Sequence, residues 1–159
     1  MRAWIDDFKS TVAEATGRLQ QIDEAKSAES QAPGKWSAKE ILGHLIDSAA
    51  NNHSRFVLAQ MRDDLVFPGY EQNKWVDIQK YRDEPWPALI DLWRAYNVHI
   101  AHVMEVTPDD KLKHMCIQHT MHDIAWRSVS ENTPVSLEHL MRDYVEHLKH
   151  HLDQIFSDD

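Results

Sequence analysis

The fold class that this sequence predicts is mainly α-helical, organised as a four-helix bundle. Three observations carry that prediction: 4 glycines in 159 residues, apolar residues that recur every three to four positions over long stretches, and a capping box at Ser37-Ala38-Lys39-Glu40. An all-β chain of this length needs many more tight turns than so few glycines provide.

The first helix spans about residues 2 to 26, with Trp4, Ile5, Phe8, Val12, Ala15, Leu19 and Ile22 at helical intervals. The polar run Ser27-Ala28-Glu29-Ser30-Gln31-Ala32-Pro33-Gly34 then makes a loop. The second helix starts at Ser37, where the hydroxyl and the Glu40 carboxylate satisfy backbone N–H groups of the first turn and Trp36 staples onto Ile41. Ile41, Leu42, Leu45, Ile46, Ala49, Phe56 and Val57 continue its core face to about residue 61. Residues 62 to 84 contain Pro68-Gly69 and no sustained period, which predicts a long connection crossing the end or side of the bundle.

Pro85-Trp86-Pro87 opens the third helix, since proline is tolerated in a first turn. Leu89, Ile90, Leu92, Trp93, Tyr96, Ile100, Val103 and Met104 carry it to Thr107-Pro108. Between 108 and 135 the period fades, and short extended pieces are expected at 114–117 and 124–129. Ser136 caps the fourth helix, whose stripe of Leu137, Leu140, Met141, Tyr144, Val145, Leu148, Leu152 and Ile155 runs on towards residue 159. With no internal repeat and a length near the commonest domain size, residues 1–159 read as a single domain.

Composition narrows the function. The formal net charge is -9 with histidines neutral, and the basic residues are scattered, so the footprint of a nucleic-acid binder is missing. No apolar run approaches the 18 or more residues of a membrane span, and the acids of Met1-Arg2-Ala3-Trp4-Ile5-Asp6-Asp7 stand where a signal peptide needs an apolar region. A cytoplasmic protein is therefore expected. The single cysteine, Cys116, removes internal disulfides and Cys-rich zinc sites, so a metal has to rest on histidine or carboxylate. Eleven histidines are the most unusual feature of the composition.

His147 and His151 stand four residues apart, on one face of the last helix and one turn from each other. At 100° per residue, His151 falls about 40° and His147 about 80° to one side of the apolar stripe, while His150 falls about 140° away, toward water. That pair can bracket one ion. Two imidazoles seldom suffice, so a third ligand is needed from another helix. His44 and His53 on the second helix are the contenders, and helical phase does not choose between them.

Trp36-Ser37-Ala38-Lys39-Glu40-Ile41-Leu42-Gly43-His44-Leu45-Ile46-Asp47 resembles the second-helix signature of the DinB-like superfamily, whose members are regarded as metal-dependent hydrolases. Pro68-Gly69-Tyr70-Glu71-Gln72-Asn73-Lys74-Trp75-Val76 resembles that family's connecting loop. Tyr144-Val145-Glu146-His147-Leu148-Lys149-His150-His151-Leu152-Asp153-Gln154-Ile155 resembles its last helix, with the pattern H-x-x-x-H-x-x-Q. The resemblance implies an up-down-down-up four-helix bundle with His44, His147 and His151 as metal ligands and zinc or nickel as the ion, since imidazole suits both.

Three imidazoles and open positions would make a catalytic rather than a structural site. Such an ion activates water for hydrolysis, or binds and deprotonates a thiol. Both chemistries occur among the relatives that the chain resembles, so a small-molecule substrate, including a low-molecular-weight thiol, is expected. Asp47 and Gln154, each three residues beyond a candidate ligand, are placed to orient an imidazole or a metal-bound water. Tyr70, Trp75 and Trp86 are candidates for the entrance, although aromatic residues beside helix ends more often belong to the core. The competing expectation is a non-catalytic module of a stress response that holds metal or dimerises. A homodimer paired through an apolar helix face is expected in either case. The metal reading requires the three rings to converge, and a separation beyond about 8 Å would defeat it.

Overall fold

In a computed structural model that describes residues 2–157, the apolar stripes become the buried faces of four long helices. In chain order the elements are α1 (Ala3–Leu19), α2 (Glu24–Ala28), α3 (Ala38–Ala59), α4 (Gln72–Gln79), a 3-10 turn (Tyr81–Asp83), α5 (Trp86–Val106), α6 (Asp109–Lys113), β1 (Met115–Cys116), α7 (Met121–Ile124), β2 (Val135–Ser136) and α8 (Leu137–Phe156). The capping box at the head of α3 is present in full, and the Ser136 side chain caps α8 by accepting from the His139 N–H. No described helix is long and apolar enough to cross a membrane.

Side-chain contacts establish the direction of each helix. Arg2, at the start of α1, donates to the carbonyls of Met104 and Thr107 at the far end of α5, both at 2.8 Å. The indole N–H of Trp86, at the start of α5, donates to Leu19 O at the end of α1, at 3.0 Å. These two helices are antiparallel. Lys149 pairs with Asp7 at 2.6 Å, and Arg18 lies 3.9 Å from the centre of the Phe156 ring, so α8 runs parallel to α1. Since α3 packs on α8 with Phe56 against Tyr144 and His44 against His147, those two are antiparallel. The order is up-down-down-up, as the resemblance implies.

This topology leaves α3 and α5 parallel, so the chain between them has to travel back along the bundle, roughly 30 Å for a helix of this length. Residues 60–85 make that return, and they are more ordered than the sequence predicts. They carry α4 and the 3-10 turn, elements too short to leave a readable period. Lys80, left-handed at φ 51, ends α4 and turns Tyr81 onto α3. Below this turn Lys39, only 3% exposed, donates to Glu24 and to the Arg82 and Glu84 carbonyls. Glu24 also accepts the Trp86 backbone N–H at 2.8 Å, at the head of α5.

Two other expectations are corrected. The first helix stops at Leu19 rather than near residue 26, because Asp23 accepts from Lys26 N and starts α2 separately. The extended pieces before α8 are Met115–Cys116 and Val135–Ser136, paired antiparallel. Residues 124–129 form no strand; instead the Asp143 carboxylate accepts the backbone N–H groups of Trp126 and Arg127, at 2.8 and 2.9 Å, which holds this segment on α8.

Tyr144 lies at the centre of the bundle. Its hydroxyl donates to Asn97 Oδ1 on α5, and its ring meets Phe8 of α1 and Phe56 of α3 edge to face, at 6.2 and 5.7 Å between centres. One side chain of α8 thus touches the other three long helices.

Gly43 is required by a close approach. A Cβ there would lie 2.1 Å from the buried Tyr81 ring, whose hydroxyl is anchored on Asp47 Oδ1 at 2.6 Å. Gly43→Ala is therefore expected to destabilise the protein by about 1–3 kcal/mol through overpacking, despite alanine's helical advantage of about 1 kcal/mol. Urea unfolding measures this, and a neutral or stabilising result would contradict it.

Candidate metal centre

The α3–α8 contact is antiparallel, so a histidine in the second turn of α3 lies level with the latter half of α8. His44 faces His147 and His151 there, with ring centres 5.1 and 4.7 Å away, while the His147 and His151 rings are 4.6 Å apart. One ligand atom from each lies within 4.8 Å of the other two. The Nε2 atoms of His44 and His147 are 3.2 Å apart, near the roughly 3.3 Å expected between two nitrogens on a tetrahedral ion with Zn–N bonds of about 2.0–2.1 Å. Among the described residues this is the one group of three histidine, cysteine or acidic side chains that converges in this way. His53 lies elsewhere, against His99 of α5 with ring centres 5.0 Å apart.

The donor set fits a borderline ion such as zinc or nickel, because the rings are held neutral. Burial lowers the His44 pKa to about 4, with His151 adding to the effect. Burial lowers His147 to about 3, helped by His151, His44 and His150. His151 is lowered by burial, against a hydrogen bond to Gln154 Oε1 that acts the other way. Gln154 Oε1 stands 2.8 Å from His151 Nδ1, so a proton on Nδ1 directs the Nε2 lone pair to the other rings.

Asp47, one turn beyond His44 and 2% exposed, takes different partners: Oδ1 accepts from Tyr81 Oη and Gln79 Nε2, at 2.6 and 2.8 Å. Its Oδ2 and His44 Nδ1 are buried without a hydrogen-bond partner among the described residues.

Two cavities meet at His151. One, of about 260 Å³, is lined by Arg55, Tyr70, Trp126, Asp143, His147 and His151 among others. The second, about 780 Å³ and more open, lies between the α2–α3 loop, α4 and α8, with Lys35, Trp36, Asn73 and Asp77 in its wall. Tyr70 thus borders the site, with Trp75 leaning on it at 5.0 Å between ring centres. Trp86 does not: it is 2% exposed against the end of α1.

Sequence reasoning missed two aromatic walls and one cation. Trp36 packs on His44, with ring centres 5.2 Å apart, and Trp126 packs on His150 at 5.1 Å and His147 at 6.3 Å. Trp126 has no periodic signal, because the backbone hydrogen bonds to Asp143 place it. Arg55 had a signal, since Ser48, Asn52 and Arg55 make a polar stripe at helical spacing on α3, and all three are buried. His119 serves structure, with Nε2 2.8 Å from Thr133 O and Nδ1 accepting from Met121 N.

These pKa directions carry a pH dependence. Below about pH 6.5 the unfolded chain protonates its histidines, whereas folded His44 and His147 stay neutral down to about 4 and 3. Stability is therefore fullest above pH 6.5 and falls as the pH drops through that window. The urea midpoint of chelator-treated protein is expected to fall between pH 6.5 and 5, and His147→Gln to flatten that slope. A midpoint independent of pH in this range would contradict the burial of neutral rings.

Comparison with known proteins agrees with this geometry. A sequence model of the DinB superfamily matches residues 7–155. Over 96 residues the chain is 23% identical to a protein of Bacillus cereus (strain AH820) named "Putative metal-dependent hydrolase", which covers 60% of this chain and 54% of that protein. A second such protein, from Bacillus cereus (strain B4264), is 24% identical with the same coverage. The chain thus spans about half the length of the curated relatives it matches. Among solved structures, Bacillus subtilis YfiT, described as a probable metal-dependent hydrolase with an unusual four-helix bundle topology, superposes with a TM-score of 0.76 at 17% identity. That match covers 99% of this chain and 86% of YfiT. A mycothiol-dependent maleylpyruvate isomerase superposes with a TM-score of 0.65 at 13% identity, covering 95% and 60%. At such identities these structures testify to fold alone, but the family match extends over all four long helices and the three converging histidines, and the chain belongs to the DinB superfamily.

Proposed function

We propose that this protein is a metal-dependent enzyme that acts on a small molecule at a divalent ion, zinc or nickel, held by His44, His147 and His151. The observation that supports it most directly is the convergence of three neutral imidazoles from two helices at the meeting point of two cavities. When bound, an ion with three imidazole donors and open positions supplies Lewis acidity and a nucleophile usable near neutral pH. The chain's own residues do the rest. Burial keeps His44 and His147 unprotonated at neutral pH, Gln154 sets the tautomer of His151, and the Trp36 and Trp126 rings flank the histidines on two sides. Asp47 acts as a positioning residue, holding Tyr81 and Gln79 against the helix that carries His44.

Two reaction classes fit this site. Hydrolysis, the activity named for the Bacillus relatives, needs one substrate and water. Transfer of a low-molecular-weight thiol needs two organic molecules, and the separate approaches to His151 favour that second reading by giving each a path of its own. A cytoplasmic homodimer, expected from the sequence, belongs to the same reading, and light scattering that finds only monomer would remove the dimer from it.

Elemental analysis of the purified protein is expected to find one divalent ion per chain, and His44→Ala, His147→Ala and His151→Ala each to lose most of it. Unchanged metal content in these variants would reject the ligand set. Gln154→Ala is expected to keep the fold and weaken metal affinity about 10- to 100-fold, as read by competition with a chromogenic chelator. Ester, amide and thiol-plus-epoxide substrates, tested with and without chelator, separate the reaction classes. Failure of all of them on metal-loaded protein would favour the non-catalytic module.

A further inference from the structure

Arg55 is the least explained residue in the molecule. It is a full cation, 6% exposed, on the inner face of α3 in the wall of the smaller cavity that also exposes His147 and His151. A guanidinium carries five N–H donors, and two are engaged here: Nη2 to Pro68 O at 2.9 Å, and Nη1 to Asn52 Oδ1 at a long 3.4 Å. Among the described residues no carboxylate pairs with it. The titratable neighbour that bears on it is the Tyr70 phenol, which burial pushes up to about 12 and so keeps neutral.

Two acids share the cavity wall, but both are engaged elsewhere. Asp143 accepts the Trp126 and Arg127 N–H groups, and Asp123 is an exposed partner of His122. A buried charge without a counter-ion costs several kcal/mol of desolvation, and a link to Pro68 O alone would not need a cation. The arrangement makes sense if the counter-ion arrives with a ligand.

Resting on the metal reading above, we infer that Arg55 binds a carboxylate of the substrate, which spans the smaller cavity with its reacting end at the three histidines. His44 and Arg55 are eleven residues apart on one face of α3, about 16 Å along the axis, and Arg55 shares the cavity wall with His147 and His151. Three free N–H donors match the two oxygens of a carboxylate, which arginine takes in a fork. One cation with Asp143 in the same wall fits a single negative charge better than a phosphate dianion. The volume of about 260 Å³ lies just below the usual range for ligand pockets, about 300–1,000 Å³, so the molecule is small. Asn52 fixes the arginine from below: its side-chain N–H donates to Ser48 O at 2.9 Å, which turns Oδ1 toward the guanidinium.

The test titrates zinc-loaded protein with a series of ω-carboxyalkyl hydroxamates, whose hydroxamate seeks the metal, and with the matching ω-carboxamides. At one chain length the carboxylate is expected to improve affinity about tenfold or more. Arg55→Gln should abolish that gain and Arg55→Lys keep part of it, with metal content per chain unchanged in both. Equal affinity of acid and amide at every length, or a gain that survives Arg55→Gln, overturns the assignment. Should Arg55→Gln fail to fold, the wild-type comparison of acid with amide and the partial gain in Arg55→Lys decide it. A failure of the metal reading looks different, because neither hydroxamate then binds better with zinc than without. In that event succinate and glutarate, titrated into zinc-free protein against their diamides, decide the role of Arg55 by whether only the acids shift its guanidinium NMR resonances.

Discussion

The contact of Tyr144 with all three of the other long helices is the constraint on which the rest of the structure depends. Its ring is enclosed edge-on by Phe8 and Phe56, and its hydroxyl reaches Asn97. A buried hydroxyl without an acceptor costs about as much as a lost hydrogen bond or more, so α8 can neither slide nor rotate against α5 without exposing that cost. His147 lies three residues beyond Tyr144 and His151 seven, so the register that satisfies the tyrosine also carries both imidazoles to the level of His44. The packing of the core and the position of the candidate metal centre are one geometric fact.

A second consequence follows from running α3 and α5 in parallel. The return segment lies along the bundle and closes over the part of α3 that carries His44, Asp47, Ser48, Asn52 and Arg55. Tyr81 is pressed so close that only glycine fits at position 43, and Tyr70 comes to border the cavity. A short connection between α3 and α5 would have left Asp47 and Arg55 without the Tyr81, Gln79 and Pro68 partners that the return segment brings. The return segment covers Arg55 through Pro68 and Asp47 through Tyr81 and Gln79, while Trp36 and α8 cover His44, and burial keeps the imidazoles neutral at a cost in stability.

The segment between α5 and α8 completes the enclosure by different means. It has little periodic structure of its own, yet it is tied down at both ends: by the short β1–β2 pairing, by Leu65 bonding through backbone to residues 118 and 120, and by the Asp143 carboxylate. Asp143 immediately precedes the tyrosine that anchors the bundle. The wall that Trp126 makes beside His147 is therefore held by the same helix that supplies two of the three histidines, and the site shares the rigidity of the core.

By itself the amino-acid sequence determined the four long helices, their capped starts at Ser37 and Ser136, the side of α8 on which His147 and His151 lie, and the exposure of His150. All of these depend on spacing along one helix, which a 3.6-residue period makes legible. His44 could be singled out from His53 only by the family resemblance, because both lie near the border of the same apolar face. Only the tertiary structure decided what depends on contacts between distant segments: α4 and the break after α1, Trp36 and Trp126 as walls, Asp47 bound to Tyr81 and Gln79, and Arg55 turned into a cavity with no carboxylate partner among the described residues. A helical period states which side of a helix faces inward, and what it meets there is fixed by the packing of the other elements.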